Sequence, residues 1–297
     1  MMSKYLMRSV LFFPAHNRRV IESALHSDAD ALVFDIEDSV LPNENKQIAR
    51  DTVVEILKVI PKRNAYCFVR TNEIDSGLII KDLMQLSVCG IDGFFIPKIK
   101  CKDDVIFISK FLDVIEKEKG VQHGKFKIVA VIETTAGLVN LNEICKATDR
   151  MIGLVFGCED YIADLDGIHD REDQSIWMAR ATIANTAKAN NIFALDAPHI
   201  YINDLDDLVR HIKIGRNFGF DGMPVLHPKQ IPIVNKSYSP STEEVAEAEL
   251  LIKLNDKAIL EGKGVAIKDG RFIGPPIMEK VKKILEKHLL ILNKGKI

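Results

Sequence analysis

Two acidic side chains occupy positions where carboxylates can share a cation. Glu133 and Asp160 follow the fifth and sixth of the apolar runs along the chain. If those runs are neighbouring parallel strands, the carboxylates lie close together, and one takes up a proton unless a cation separates them. Oxygen ligands without His or Cys favour Mg²⁺ over zinc. The alternative is a pair neutralised by Lys98 or Arg70, and the residue types alone favour neither interpretation.

Arg70 is a candidate for binding an anionic oxygen. Its guanidinium is planar and permanently charged, so it can hold a substrate carboxylate or a developing oxyanion. It ends the third apolar run, while the second run ends in an acidic segment that contains Asp35, Glu37 and Asp38. The alternative role of Arg70 is to balance the charge of that segment.

Other polar residues are candidates for binding the substrate and for transferring protons. Lys46 and Arg50 are one helical turn apart on one face and can hold the phosphates of a nucleotide-like group. Their spacing by itself favours a solvated helix face. His199 and His227 follow the last two runs and are either proton carriers or hydrogen-bonded structural residues, because tautomer and partner cannot be read from sequence.

Short apolar runs alternate with longer amphipathic stretches. The runs are Ser9–Pro14, Ala31–Phe34, Ala65–Val69, Gly93–Ile96, Lys127–Ile132, Ile152–Phe156, Ile192–Leu195 and Met223–Leu226. They lack strict alternation, as is typical of strands buried on both faces. Between two of them, Glu44–Ile60 has a helical apolar stripe that includes Val53 and Ile56, and Pro61 ends it.

Eight strand–helix units of about 30 residues predict an α/β fold of the (β/α)₈ TIM-barrel type. The alternative is an open doubly wound sheet, but no dinucleotide-binding glycine fingerprint follows a strand. In a barrel the active site lies at the carboxyl ends of the strands, and polar residues follow the apolar runs there. We therefore expect the candidate residues to meet at that end.

The pattern changes near the C-terminus. Ser241 and Glu244 form a capping box that opens a helix, and Asp269-Gly270 has the composition of a hairpin turn. A last amphipathic helix follows. We predict a catalytic barrel over residues 1–235 and a helix–hairpin–helix extension over residues 236–297. The extension has too little apolar mass to fold alone, so it packs on the barrel or on a neighbouring subunit.

Composition excludes several classes of protein. The chain has 297 residues, is 47% hydrophobic and carries a net charge of −2, so nothing indicates a nucleic-acid partner. Its five cysteines form no CxxC pair, and neither a zinc knuckle nor a disulfide framework is expected. A reducing cytoplasm fits this cysteine usage. The apolar N-terminal run between Arg8 and Arg18 is too short to span a membrane and lacks the order of a signal peptide.

Eight short motifs occur in a fixed order along the chain. They are Arg8-Ser9-Val10-Leu11-Phe12-Phe13-Pro14, Asp35-Ile36-Glu37-Asp38-Ser39-Val40, Val69-Arg70-Thr71-Asn72, Ile96-Pro97-Lys98, Val131-Ile132-Glu133-Thr134, Gly157-Cys158-Glu159-Asp160-Tyr161, Leu195-Asp196-Ala197-Pro198-His199 and Gly219-Phe220-Asp221-Gly222. Each motif is weak alone, but their order and spacing are specific. By these motifs the chain resembles, over nearly its whole length, the citrate lyase β-subunit-like proteins of the HpcH/HpaI group, which includes malyl-CoA and citramalyl-CoA lyases.

The resemblance implies a lyase that cleaves a 3-hydroxyacyl-CoA thioester into acetyl-CoA and a 2-oxo acid such as glyoxylate or pyruvate. It implies Mg²⁺ as the cofactor, with Mn²⁺ as the alternative ion. The residues implied are Glu133 and Asp160 for the metal, Arg70, Glu37 and Asp38 for catalysis, and Arg18, Lys46, Arg50 and Arg70 for the substrate and its coenzyme A end. For Lys46 and Arg50 the resemblance therefore favours coenzyme A binding over a solvated helix face. Members are commonly homotrimers in which the C-terminal segment covers a neighbour's site.

One position departs from the family pattern. Gly274 stands where malyl- and citramalyl-type members have an aspartate that acts in proton transfer or hydrolysis. Three alternatives accompany the leading interpretation, and Gly274 motivates the second of them. In the first alternative, the chain is the citryl-thioester lyase subunit of a citrate lyase and acts on an acyl-carrier protein. In the second, it is a catalytically weakened coenzyme A-binding protein. A divalent-metal aldolase for sugar acids is the third.

Overall fold

Eight parallel strands follow one another around a barrel in the computed structural model, which describes residues 5–59, 64–88, 90–168, 172, 174–262 and 265–294. The strands are β1 Ser9–Pro14, β2 Ala31–Asp35, β3 Tyr66–Arg70, β4 Gly93–Ile96, β5 Lys127–Ile132, β6 Met151–Phe156, β7 Phe193–Leu195 and β8 Met223–Val225. From β1 to β7 each strand pairs with the next, and β1 also pairs with β8. The predicted runs match these strands to within one residue at each end.

The barrel comes close to closure between β7 and β8. A parallel bridge joins Leu195 to Gly222, and the Asp196 N–H donates to the Gly222 carbonyl at 3.0 Å. A Cβ atom at Gly222 would lie 1.8 Å from the carbonyl oxygen of Met7, so only glycine lets the backbones approach this closely. The predicted TIM barrel is confirmed, and the open sheet is wrong.

Twelve helices are found in the described part of the chain. They are α1 Arg18–Leu25, α2 Asn45–Val59, α3 Ile79–Leu86, α4 Lys102–Glu118, α5 Thr135–Val139, α6 Leu141–Cys145, α7 Cys158–Leu165, α8 Trp177–Ala189, α9 Leu205–Phe218, α10 Ile231–Tyr238, α11 Thr242–Leu260 and α12 Pro275–Leu292. The helix predicted over Glu44–Ile60 is α2, and Ile60 and Pro61 lie outside the described residues.

Two apolar cores explain why the strands lack polar–apolar alternation. Val10, Val33 and Phe68 belong to a cluster that fills the inside of the barrel. Leu11 and Phe34, on the other faces of the same strands, belong to the larger cluster between strands and helices. Because both faces of each strand are covered, its ends are the places where polar side chains reach solvent.

The C-terminal extension has the predicted elements. Ser241 and Glu244 form the capping box of α11. Strands β9 Ala266–Lys268 and β10 Arg271–Ile273 pair antiparallel, and the turn residues Asp269 and Gly270 have φ of 49° and 75°, as a two-residue hairpin requires. Helix α12 packs along α11, and its end reaches the barrel, where Lys294 pairs with Asp30 at 2.9 Å. The division into domains at residue 235, which lies within α10, stays a prediction.

Two further expectations concern cysteines and membranes. Cys67, Cys101, Cys145 and Cys158 are free thiols, and Cys89 lies outside the described residues. Among the residues that are described, no helix combines the length and apolar character needed to cross a bilayer.

Candidate active site

A cavity of about 450 Å³ opens at the carboxyl ends of the barrel strands. Phe12 and Phe13 of β1 form part of an apolar wall, and Arg70, Glu133 and Asp160 contribute charged groups. Parallel strands bring their carboxyl ends to one edge, so residues far apart in sequence meet here. The site therefore lies where the sequence predicts it.

Arg70, the last residue of β3, is held in a fixed orientation by Asp35, the last residue of β2. Its Nε and Nη2 donate to the two carboxylate oxygens of Asp35 at 2.8 and 2.6 Å. Burial alone would raise the pKa of Asp35, but the Arg70 guanidinium holds that pKa below its usual range. This bidentate pair leaves Nη1 as the nitrogen directed at other acids, 2.8 Å from Glu37 Oε2 and 3.2 Å from Asp38 Oδ2.

Three acids thus surround one arginine, and they differ in burial. Asp35 is buried and locked, whereas the Asp38 side chain is 67% exposed. Glu37 is also buried: burial raises its pKa to about 8 although Arg70 opposes the shift, and the negative charges of Asp38, Glu133 and Asp35 add to it. The charge-balancing role considered for Arg70 is therefore real, and one positive charge does not neutralise the whole group.

Glu133 and Asp160 form a second acidic pair without a basic partner. Glu133 is 3% exposed, and burial, together with the charge of Asp160, raises its pKa to about 7. None of the ion pairs among the described residues includes either carboxylate. Lys98 pairs instead with Glu73 at 3.1 Å and gives Glu133 only a backbone N–H, at 2.8 Å from Oε1. The pair is thus suited to a divalent cation rather than to the lysine or the arginine.

Gly157 leaves room for the Glu133 carboxylate, a role that the sequence analysis did not identify. A Cβ at this position would lie 2.5 Å from Glu133 Oε2. Any larger residue would displace this carboxylate from its position near Asp160, which lies in the first turn of α7. A glycine directly after a strand and before a helix is the sequence signal that could have identified it.

Comparison with known proteins identifies the family. The model of the family described as HpcH/HpaI aldolase/citrate lyase matches residues 8–228. The chain belongs to this family. It is therefore an enzyme of the carbon–carbon lyase type.

Individual relatives align over nearly their full lengths. The chain is 30% identical to the citrate lyase β-subunit of Leuconostoc mesenteroides, covering 96% of this chain and 94% of that one. It is 30% identical to the human mitochondrial citramalyl-CoA lyase, covering 92% and 82%. The crystal structure of CitE from Mycobacterium tuberculosis in complex with magnesium, acetoacetate and coenzyme A has a TM-score of 0.73 and 27% identity, covering 94% and 97%.

The cations that the family resemblance links to coenzyme A lie away from the cavity lining. Lys46 is 8% exposed and donates to Asn72, which is bonded to Asp82. Arg50 is 2% exposed, and its Nε donates to Asp82 at 2.7 Å. The solvated helix face is therefore wrong, since both are buried behind the β3 end. Arg18 is exposed and paired with Glu55, and coenzyme binding by these three residues stays a prediction.

The two candidate histidines have structural hydrogen bonds. His199 is buried, with Nε2 3.2 Å from the Asp204 carbonyl, and His227 accepts the Lys229 N–H at Nδ1. Neither side chain lines the cavity. Of the two interpretations of these residues, the structure supports the hydrogen-bonded one.

Asp160→Asn should have two opposite effects: weaker Mg²⁺ binding and, without metal, higher stability of the folded protein. We expect Mg²⁺ binding, measured by calorimetry, to weaken at least about tenfold through loss of a charged ligand. In metal-free protein at pH 8, above the raised pKa of Glu133, the variant lacks the acidic neighbour that repels the Glu133 carboxylate, so it gains on the order of 1 kcal/mol, or about 2–4 °C in Tm. At pH 5 Glu133 is protonated and the gain disappears.

The matched control for this prediction is Asp166→Asn. Asp166 ends the same helix in the left-handed region, with φ of 56°, which asparagine also adopts. Both properties should stay at their wild-type values in this variant. Unchanged Mg²⁺ affinity in Asp160→Asn, or equal effects in the two variants, contradicts the assignment.

Proposed function

We propose that this protein is a Mg²⁺-dependent lyase that cleaves a 3-hydroxyacyl-CoA thioester of the malyl-CoA or citramalyl-CoA type into acetyl-CoA and a 2-oxo acid. The observation that carries the proposal is the unneutralised pair Glu133 and Asp160, which shares one cavity with the oriented guanidinium of Arg70. The names of the human relative and of the ligands in the mycobacterial structure support it.

Glu133 and Asp160 would hold the cation, with Mn²⁺ as a possible substitute for Mg²⁺. Two carboxylates without a lysine or arginine partner fit such an ion, and Mg²⁺ usually keeps other coordination positions for water and substrate oxygens. When bound, Mg²⁺ supplies Lewis-acid polarisation of the substrate oxygen that becomes a carbonyl. The protein's part is to keep Glu133 in place, through the Lys98 N–H and the space at Gly157.

Arg70 would bind the carboxylate or the reacting oxygen of the substrate. Its Nε and Nη2 are occupied by Asp35, so the planar group cannot rotate. A cation oriented before the substrate arrives stabilises charge that develops in the transition state without reorganisation at that moment.

Glu37 would carry the proton. The ionised form of Glu37, which predominates above its raised pKa of about 8, accepts the proton of the substrate hydroxyl while the carbon–carbon bond breaks and its electron pair moves to the thioester, forming the enolate of acetyl-CoA. The same proton then goes to the enolate carbon, so the cycle needs no net acid or base. Among the acids around Arg70, Asp35 is locked by two hydrogen bonds. Asp38 lines the cavity, as Glu37 does not, but it is exposed and held less closely by Arg70.

The coenzyme A end of the substrate would lie over the β1 and β2 ends of the barrel. Arg18 at the start of α1 presents an exposed guanidinium there, and Lys46 lies behind the β3 end. We propose that these residues and Arg50 support the phosphate-bearing part of the ligand, with Arg50 fixing the segment through Asp82.

A citryl thioester carried by an acyl-carrier protein is the second candidate substrate. The citrate lyase β-subunit of Leuconostoc mesenteroides aligns with 96% of this chain. Incubation with malyl-, citramalyl- and methylmalyl-CoA and with citryl thioesters of coenzyme A and of the carrier, with and without Mg²⁺, separates the candidates by mass spectrometry of the products. We expect acetyl-CoA and a 2-oxo acid only with Mg²⁺. Binding without turnover of any thioester would favour the weakened coenzyme A-binding protein.

Arg70→Lys keeps the charge but loses the two-pronged geometry that pairs with Asp35. We expect kcat to fall by roughly 100-fold or more, the scale of one lost transition-state donor. Arg19→Lys, at an exposed arginine of α1 with no role in the proposal, is the matched control and should retain kcat. If Arg70→Lys lowers Tm but leaves turnover intact, the arginine only balances the acids.

Glu37→Gln removes the proposed proton carrier and keeps the shape of the side chain. Single-turnover cleavage should slow by about 10²–10⁴-fold, with thioester affinity little changed. Asp38→Asn, at the exposed acid beside it, should have the smaller effect. The opposite order would assign the proton to Asp38.

Gly274→Asp introduces the carboxylate that the family resemblance implies at this position. Gly274 is the N-cap of α12 with φ of −94°, a conformation open to aspartate and a position that it favours. A Cβ would meet the Phe272 ring at 2.6 Å, but that ring is 58% exposed and can turn. We expect a folded variant with faster condensation or thioester hydrolysis than the wild type.

This expectation depends on assembly, since the described lining of the cavity ends at Leu226 and includes no residue of the extension. We propose that the protein is a homotrimer in which the extension covers a neighbour's cavity. Light scattering measures the mass. Unchanged condensation and hydrolysis in a folded trimeric variant would contradict the role given to position 274.

A further inference from the structure

A second cavity, of about 530 Å³, lies at the opposite end of the barrel from the candidate active site. It is bounded by the segments before β7 and β8, including Ile192 and Asp221, and by α9, α10 and α12. Its volume is within the range of sites for small organic ligands. The proposed lyase reaction uses none of its residues.

Positive charge dominates the lining of this cavity. Five basic side chains, those of Lys188, Arg216, Lys280, Lys283 and Lys287, face two acidic ones, those of Asp221 and Glu244. The two acids are already engaged: Asp221 pairs with Lys188 at 2.5 Å, and Glu244 accepts the N–H of Ser241 in the capping box. Among the described residues no ion pair involves Arg216, Lys280 or Lys283.

Lys287 is the most constrained of these cations. It projects from α12 towards the barrel, with Nζ 5.8 Å from the Tyr238 ring centroid and 3.5 Å from the Asp221 carbonyl oxygen. Burial lowers its pKa to about 8 despite Asp221, since Lys188 and Arg216 repel its charge. A group with two or more negative charges would relieve this repulsion.

The cavity also has an apolar wall. Phe220 and Tyr238 are buried side chains that line it, and Ile284 of α12 faces it from the other side. Cations next to aromatic and aliphatic surface suit an organic anion rather than a bare inorganic one.

We infer that this cavity is a binding site for an organic phosphate that carries at least two negative charges and an apolar or aromatic portion. The phosphates lie between Arg216, Lys283 and Lys287, and the apolar portion packs on Phe220 and Tyr238. Because the cations come from both α9 and α12, the bound anion ties the C-terminal helix to the barrel.

The test uses the full-length protein, metal-free buffer and two probes, pyrophosphate and ADP, with binding measured by calorimetry. Lys280→Glu/Lys283→Glu reverses two exposed charges that line the cavity. Lys253→Glu/Lys282→Glu reverses two exposed lysines of α11 and α12 outside its lining, and is the matched control. We expect ADP to bind more tightly than pyrophosphate and the first variant to weaken binding at least about tenfold.

A second readout locates the ligand. Acetylation with a limiting amine reagent, mapped by mass spectrometry, should show protection of Lys287 by ADP and none of Lys253. Wild-type affinity in the lining variant, or equal losses in the two variants, overturns the assignment, as does lack of binding to either probe at millimolar concentration. Equal affinities for ADP and pyrophosphate overturn the apolar part of the site. Loss of lyase activity is not a readout here, so failure of this proposal leaves the proposed function untouched.

Discussion

The repulsion between two carboxylates is the interaction on which the candidate site depends. Glu133 is nearly inaccessible to solvent, Asp160 stands beside it, and none of the described ion pairs neutralises either one. A barrel could avoid this cost by placing a lysine between them, as the sequence allowed with Lys98. The structure instead commits Lys98 to Glu73. An arrangement that is unfavourable in the empty protein becomes favourable when a divalent cation binds, because the ion is then the missing positive charge.

The surrounding barrel keeps that arrangement from relaxing. The Lys98 N–H fixes one oxygen of Glu133, and Gly157 leaves room for the other. On the opposite side of the cavity, Asp35 fixes Arg70 by two hydrogen bonds from the adjacent strand. Each of these contacts comes from a residue at or just past a strand end. The geometry of the site therefore depends on how the barrel arranges its strands. The tight backbone contact at Gly222, far from the chemistry, contributes by letting the ring of strands close.

Much of this was predictable because strand ends can be read from apolar runs. The runs located all eight strands, and the residue types after them placed Arg70, Glu133 and Asp160 at one end of a barrel. Side-chain partners were not predictable in the same way. Spacing suggested that Lys46 and Arg50 share a solvated face, but both are buried, since Asn72 and Asp82 come from elements that only the tertiary fold brings to them.

The basic cavity at the amino end of the barrel was likewise not predictable from the sequence. Its cations come from α8, α9 and α12; the spacing of Lys280, Lys283 and Lys287 places them on one face of α12, but it does not reveal Lys188 and Arg216 beside them. Only the packing of the C-terminal helix against the barrel gathers them. The net charge does not indicate this cavity either, because a chain with a net charge of −2 can still have a strongly positive cavity.

The most direct test of the central claim is proton release when Mg²⁺ binds. The metal-free pKa of Glu133 is about 7, so part of the protein holds a proton at pH 6.5 that a bound cation must displace. Calorimetric titrations in two buffers of different ionisation enthalpy measure the protons released. Proton release at pH 6.5 that declines by pH 9, with affinity rising over the same interval, is the expected result. Mg²⁺ binding that releases no proton and has the same affinity at both pH values would show that the ion does not bind at this carboxylate pair.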